Sequence, residues 1–108
     1  MQNEACEHFH ACWVESFITP LLWDALTLIP TLPDTYFDFV FIDAMKKSYL
    51  DYYLLIQPKL VSPAMIIVDD VKKFRYKMEN FYNYLSEKKI EYTLYEVDDD
   101  DATMIILL

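Results

Sequence analysis

An α/β fold whose sheet starts parallel and closes antiparallel is predicted by three observations. Two short apolar runs, 37–42 and 65–68, are rich in β-branched and aromatic residues and nearly free of polar positions. Strands covered on both faces read this way. Each run is followed by apolar side chains at helical spacing, the alternation that builds a parallel sheet. Two more strand-like runs then follow one another across a short acidic stretch, which predicts an antiparallel finish. The first two runs both end in acid, Asp43 and the pair Asp69-Asp70. Open α/β sheets hold ligands just beyond such carboxyl ends.

Taken in order, residues 4–13 have helical composition, and 16–22 reads as a short strand whose Pro20 favours an edge. Asp24 is placed to cap a short helix through Ile29, stopped by Pro30 and Pro33. The first acid-ended strand follows at 37–43. From Ser48, the residues Tyr49, Tyr52, Tyr53, Ile56 and Leu60 fall at i, i+3, i+4, i+7 and i+11, an amphipathic helix broken near Pro58. The second acid-ended strand is 64–69. Phe74, Met78, Phe81 and Leu85 then repeat at helical spacing to about Lys89. Residues 92–97 and 103–108 close the pattern as strands joined through 98–101. The tyrosine stripes read as core and interface packing.

The 108 residues predict one domain, 1–108, with no internal repeat or linker. Hydrophobic residues at 55% and charged residues at 25% mark a globular chain. No apolar run nears the roughly 18 residues that span a bilayer and no signal peptide opens the chain, so no membrane partner is expected. A net charge of −9 argues against a nucleic-acid partner, because phosphate contact needs a basic face. The local cluster Lys72, Lys73, Arg75 and Lys77 reads as a solvated helix face. Cys6 and Cys12 suggest no disulfide framework, and a cytoplasmic location is expected. The chain has no glycine, which excludes any Gly-rich nucleotide loop within it.

Chemistry is expected at the acidic strand ends. Neighbouring strands lie about 4.8 Å apart, so Asp43, Asp69 and Asp70 can share one hard divalent cation such as Mg²⁺. The alternative is that strand-end aspartates cap the following helices. Lys46, three residues after Asp43, strengthens the first reading. Cys6, His8, His10 and Cys12 have a zinc-like composition, but helical spacing would split them between faces. The run 98–101 could take Ca²⁺ and reads more simply as a solvated turn.

The stretch 37–49, FDFVFIDAMKKSY, with Asp51-Tyr52-Tyr53 after it, resembles the signature of cation-dependent, S-adenosylmethionine (SAM)-dependent O-methyltransferases of the catechol and caffeoyl-CoA type. Ile66-Ile67-Val68-Asp69-Asp70-Val71 is similar to the family's next strand, which usually ends Asp-Asn, and Asp24-Ala25-Leu26 to its Gly-Asp-Ala-Leu element. The resemblance covers roughly residues 5–108 and is most specific around Asp43.

It implies a partial Rossmann-like methyltransferase sheet, comprising strands 3, 4, 5, 6 and 7 of the family order 3-2-1-4-5-7-6. The first two strands and the Gly-rich loop have no counterpart here, so the chain alone is not expected to carry the reaction. The edge of the strand at 37–43 should then be bare and apolar, which invites homo-oligomerisation or other edge pairing. By position, Asp43, Asp69 and Asp70 would be the metal ligands and Lys46 the general base, its pKa lowered beside the metal. Asp24, Ala25, Asp43 and Ala44 would border SAM. The substrate would be a small molecule with a hydroxyl, catechol-like in the family pattern.

Several positions depart from that pattern. Asp70 replaces the usual Asn, and Met45 stands where many relatives carry a substrate-contacting acid. Ser62-Pro63-Ala64 replaces a Pro-Gly-Gly turn, Ala102 replaces a glycine, and Trp13 and Trp23 stand where glycine is usual. Two other readings fit the acidic strand ends. A receiver-like Mg²⁺-binding phosphoacceptor also gathers three acids and a lysine, although its acidic pair comes first in the chain. A non-catalytic truncated fragment would carry the acids without using them.

Overall fold

The computed structural model describes Ile18, Leu21 and residues 24–96 and 98–108. The 4–13 helix, the Cys6 to Cys12 run and both tryptophans lie outside the described residues, as does the 16–22 strand apart from Ile18 and Leu21. The elements are helix α1 (Ala25–Leu28), strand β1 (Phe37–Ile42), helix α2 (Tyr49–Ile56), strand β2 (Leu60–Val68), helix α3 (Glu79–Glu87) and strands β3 (Thr93–Glu96) and β4 (Ala102–Leu107). The sheet order is β1-β2-β4-β3. β1 and β2 are parallel, while β4 runs antiparallel to both β2 and β3. This is the expected contiguity of family strands 4, 5, 7 and 6.

The core sits where α2 and α3 cover β2 and β4. Ile66, Val68, Met104 and Ile106 are completely buried from the sheet, as are Tyr49, Tyr53, Phe81 and Leu85 from the helices. Each large apolar side chain removed from water contributes about 1.5–3 kcal/mol, so this cluster dominates the stability of the domain. Phe81 packs edge-on against Tyr49, with centroids 6.3 Å apart, and tilts against Tyr53 at 5.7 Å. The buried face of α2 is Tyr49, Tyr52, Tyr53 and Ile56, as their spacing predicts.

Three expectations change. β1 is not covered on both faces: Phe39 is 53% and Phe41 55% exposed. The physical reason is the layering: α2 and α3 pack on the face that carries Ile42, Ile66 and Val68, and the alternation along β1 turns Phe39 and Phe41 to the other face. The helix expected from Phe74 begins only at Glu79; a turn over 71–74 and a 3₁₀ turn, Arg75–Lys77, precede it. Phe74 and Met78 still pack on the core from outside the helix. Lys72, Lys73, Arg75 and Lys77 are therefore exposed on turns rather than on a helix face. Arg75 stacks on the Tyr82 ring, 4.1 Å from its centroid. The third change is at β2, which starts at Leu60 and runs through Pro63. Its register with β1 jumps from Phe37↔Leu60 to Phe39↔Met65, so the surplus residues bulge out at Ser62-Pro63 instead of forming a separate turn.

A glycine-free chain must still turn. Thr35, Asp70 and Lys89 take up the left-handed conformation, with φ of 48°, 56° and 55°. The acidic run makes its own turn: Asp98 Oδ1 accepts the amide hydrogens of Asp100 and Asp101 at 2.8 and 2.9 Å. Asp24 stands at the N-cap of α1, but its side chain makes no capping hydrogen bond, and its backbone carbonyl accepts from Thr27 and Leu28.

Candidate functional site

The parallel pairing of β1 with β2 carries both acidic ends to the same edge of the sheet, with Ile42 opposite Val68. Asp69 continues the ladder through its amide, which donates to the Ile42 carbonyl at 3.0 Å. Asp70 then turns the chain with a left-handed backbone, a conformation that Asp and Asn tolerate better than most residues. As a result Asp43, Asp69 and Asp70 each present one carboxylate oxygen, all within 4.8 Å of one another. Such a set of oxygen donors fits a hard divalent cation. Asp69 and Asp70 are half-buried and Asp43 is exposed.

Lys46 reaches into this group from the 3₁₀ turn that follows Met45. Its Nζ lies 3.1 Å from Asp70 Oδ2 and 3.4 Å from Asp43 Oδ1, and donates to the Tyr49 hydroxyl at 2.8 Å. The buried Tyr49 hydroxyl in turn donates to the Asp69 carbonyl at 3.0 Å. Partial burial pulls the Lys46 pKa down, but the hydrogen bonds and charges of Tyr49 and Asp70 outweigh it and hold the ammonium above the ordinary lysine range. The protein's own groups thus act opposite to the lowering expected for a base beside a cation. Burial pushes the Tyr49 phenol up as well.

Asp101 joins the site from the loop before β4. Its Oδ1 accepts the amide hydrogens of Lys72 and Lys73, both at 3.3 Å, and of Ala102 at 2.8 Å. A hydrogen bond to Asp101 pushes the Asp70 carboxyl up, against the pull of Lys46. Burial raises Asp101, but the bond to Asp70 and the three backbone amides prevail and hold it down. Thr103 Oγ1 donates to Asp69 Oδ1 at 3.1 Å.

Beside the acids, a cavity of about 430 Å³ runs along the outer side of β1 between α1 and α2. Ala25, Asp43 and Ala44 line it together with Phe39, Phe41 and Ile56. Of the four residues expected to border SAM, three therefore meet here, while Asp24 stays exposed outside the lining. Lys59, at the far end, is engaged by Asp34 Oδ1 at 2.6 Å and by the Pro30 carbonyl at 3.3 Å.

Sequence reasoning found Asp43, Asp69, Asp70 and Lys46 together and missed three supporting groups. Tyr49 was read only as core and Asp101 only as part of an acidic run. Thr103 carried no signal of its own in the sequence: only the antiparallel pairing of Val68 with Met104 makes it the neighbour of Asp69 one step further on.

Comparison with solved structures gives the fold. An O-methyltransferase from Streptomyces achromogenes, TomG, involved in tomaymycin synthesis and solved with SAM, matches with a TM-score of 0.84 at 19% identity over 97% of this chain and 56% of its own. An SAH-bound Podospora anserina methyltransferase matches at 0.78 and 23% identity, over 94% of this chain and 54% of its own. An O-methyltransferase from Bacillus cereus, solved with SAH, matches at 0.76 and 19% identity, over 99% and 58%. The chain therefore has the Rossmann-like fold of these methyltransferases and spans a little over half of their length. No protein-family model and no curated protein sequence matches it. No helix among the described residues is long and apolar enough to cross a membrane.

Proposed function

We propose that this chain carries the metal-binding portion of a SAM-dependent O-methyltransferase site, acting on a hydroxyl of a small, catechol-like molecule. The observation that carries the reading is the convergence of three carboxylates from two adjacent parallel strand ends, with Lys46 among them. It occurs in a fold shared with methyltransferases solved with SAM or SAH. Asp43, Asp69 and Asp70 would hold a divalent cation such as Mg²⁺, whose Lewis acidity lowers the pKa of a nearby hydroxyl. SAM would supply the methyl group, its adenine end lying against Ala25 and Ala44.

Lys46 is the proton-handling residue of the proposal. Its ion pair with Asp70 and its bond to Tyr49 fix the ammonium beside the acids. With Asp70 engaged in holding a cation, Lys46 would keep only Tyr49 of the two groups that hold its pKa high, and would lie nearer to the range a base requires. Phe39 and Phe41 line one side of the cavity while standing more than half exposed themselves. With no glycine in the chain to let backbone approach the cofactor closely, SAM affinity of this chain alone is proposed to be weak.

The free, apolar side of β1 is proposed to pair with a second copy of the chain, because Phe39 and Phe41 stand more than half exposed beside an unpaired strand edge among the described residues. The functional reading is tested by calorimetric titration of the protein with Mg²⁺ and then with SAM. Saturable Mg²⁺ binding that Asp69→Asn abolishes, with weak SAM binding beside it, supports the reading; no Mg²⁺ binding would overturn it. Acetyl-phosphate labelling of Asp43 would instead favour the receiver-like alternative.

A further inference from the structure

Asp69 is the most constrained of the three acids. Its amide is tied to Ile42, its carbonyl accepts from the Tyr49 hydroxyl, and its carboxylate accepts from Thr103 Oγ1. These bonds come from three different elements, β1, α2 and β4. Thr103 is the one that acts on the side chain. By occupying a lone pair of Oδ1 at 3.1 Å, its hydroxyl fixes the rotation of the carboxylate. With its rotation fixed, the Asp69 carboxylate presents an oxygen within 4.8 Å of those of Asp43 and Asp70.

We propose that Thr103 is a positioning residue for cation binding, holding the Asp69 carboxylate in the orientation that a shared ion requires. The proposal rests on the metal-site reading above. The mechanism is pre-organisation. A carboxylate already held by a fixed donor loses less rotational freedom when it takes up an ion, and outer partners of this kind commonly govern affinity. β4 is suited to the task because its antiparallel pairing with β2 is continuous through Val68↔Met104, so Thr103 sits on a regular strand rather than on a loop. The same strand end carries Asp101, which ties down the backbone after Asp70 through the amides of Lys72 and Lys73. One end of β4 therefore braces both members of the Asp69-Asp70 pair, the first through its side chain and the second through its backbone.

The test is a Mn²⁺ titration of the 108-residue chain, with free Mn²⁺ read by electron paramagnetic resonance, on wild type, Thr103→Val and Thr103→Ser. Valine keeps the β-branched shape and removes the hydroxyl; serine keeps the hydroxyl and removes the methyl. Loss of an outer-shell partner costs about 10–100-fold in metal affinity, so Thr103→Val should weaken binding by about tenfold or more. Thr103→Ser should restore it to near the wild-type value. A merely structural role would instead lower the melting temperature of both variants and leave affinity per folded chain unchanged, which would overturn the proposal. Wild type and Thr103→Val binding Mn²⁺ equally would also overturn it, with the metal reading intact. Wild type that binds no Mn²⁺ removes the metal reading, and this proposal with it.

Discussion

Replacing Lys89 with glycine should stabilise a protein that contains no glycine. Helix α3 ends at Glu87, Lys88 follows with right-handed dihedrals, and Lys89 adopts φ of 55°. The amide of Ile90 donates to the Leu85 carbonyl at 2.9 Å and that of Lys89 to the Ser86 carbonyl at 3.2 Å. This is the two-bond helix stop whose left-handed residue is usually glycine. A side chain with a Cβ costs about 1–2 kcal/mol there. Glycine returns about 0.5–1 kcal/mol of that through the greater freedom of the unfolded chain. The net gain is about 0.5–1 kcal/mol, or roughly 3–6 °C in melting temperature for a domain of this size. Thermal melts followed by circular dichroism, with urea melts beside them, provide the assay. Lys89→Ala is the control, since it removes the exposed charge but keeps the Cβ, and it should leave the melting temperature nearly unchanged. A Lys89→Gly melt at or below wild type would refute the reasoning.

Two of the three buried tyrosines of α2 should part company. Among the described residues, the buried Tyr53 hydroxyl has no well-formed hydrogen bond, so Tyr53→Phe should be neutral or stabilising by about 1 kcal/mol. Tyr49→Phe breaks two bonds and should cost about 1–3 kcal/mol, measured by urea unfolding. At the β1 edge, Phe39→Lys should shift the protein toward monomer in sedimentation velocity runs; a wild type that is monomeric at every concentration would end the pairing proposal. The raised Asp70 pKa means that Asp70 takes up its proton before an ordinary carboxyl as pH falls. Its protonated form therefore contributes stability below the unfolded pKa, and that contribution is lost as pH rises through the folded value. Mn²⁺ affinity should accordingly decline from above the ordinary carboxylate range, and Asp101→Asn should move the decline to lower pH. An unmoved decline in Asp101→Asn would show that Asp101 does not set it.

Much of this was legible in the chain because the signals were local and redundant. Tyr49, Tyr52, Tyr53 and Ile56 share a helical face whatever lies above it, and all four are buried. The acids of the candidate site end two apolar runs, so a parallel pairing alone brings them together. What was not legible depends on contacts between distant segments. The sequence of β1 reads as fully covered, and only the placement of α2 and α3 on one face shows Phe39 and Phe41 standing open on the other. Phe74 and Met78 keep the helical period but lie in turns, because the left-handed Asp70 and the bonds from Lys72 and Lys73 to Asp101 redirect the chain before α3 can start. β3 is exposed along its whole length and joins the sheet through its pairing with β4 rather than through a buried face. Thr103 was invisible for the same reason: its partner lies 34 residues away, and only the register between β2 and β4 connects them.

The central claim is that Asp43, Asp69 and Asp70 form one cation site, and the most direct measurement is the stoichiometry of Mn²⁺ binding. Wild type, Asp43→Asn and Asp69→Asn should be titrated side by side, with circular dichroism confirming that each is folded. The account predicts one saturable Mn²⁺ per wild-type chain and its loss or strong weakening in both variants. Saturable binding that survives both substitutions, or none in wild type, would contradict it.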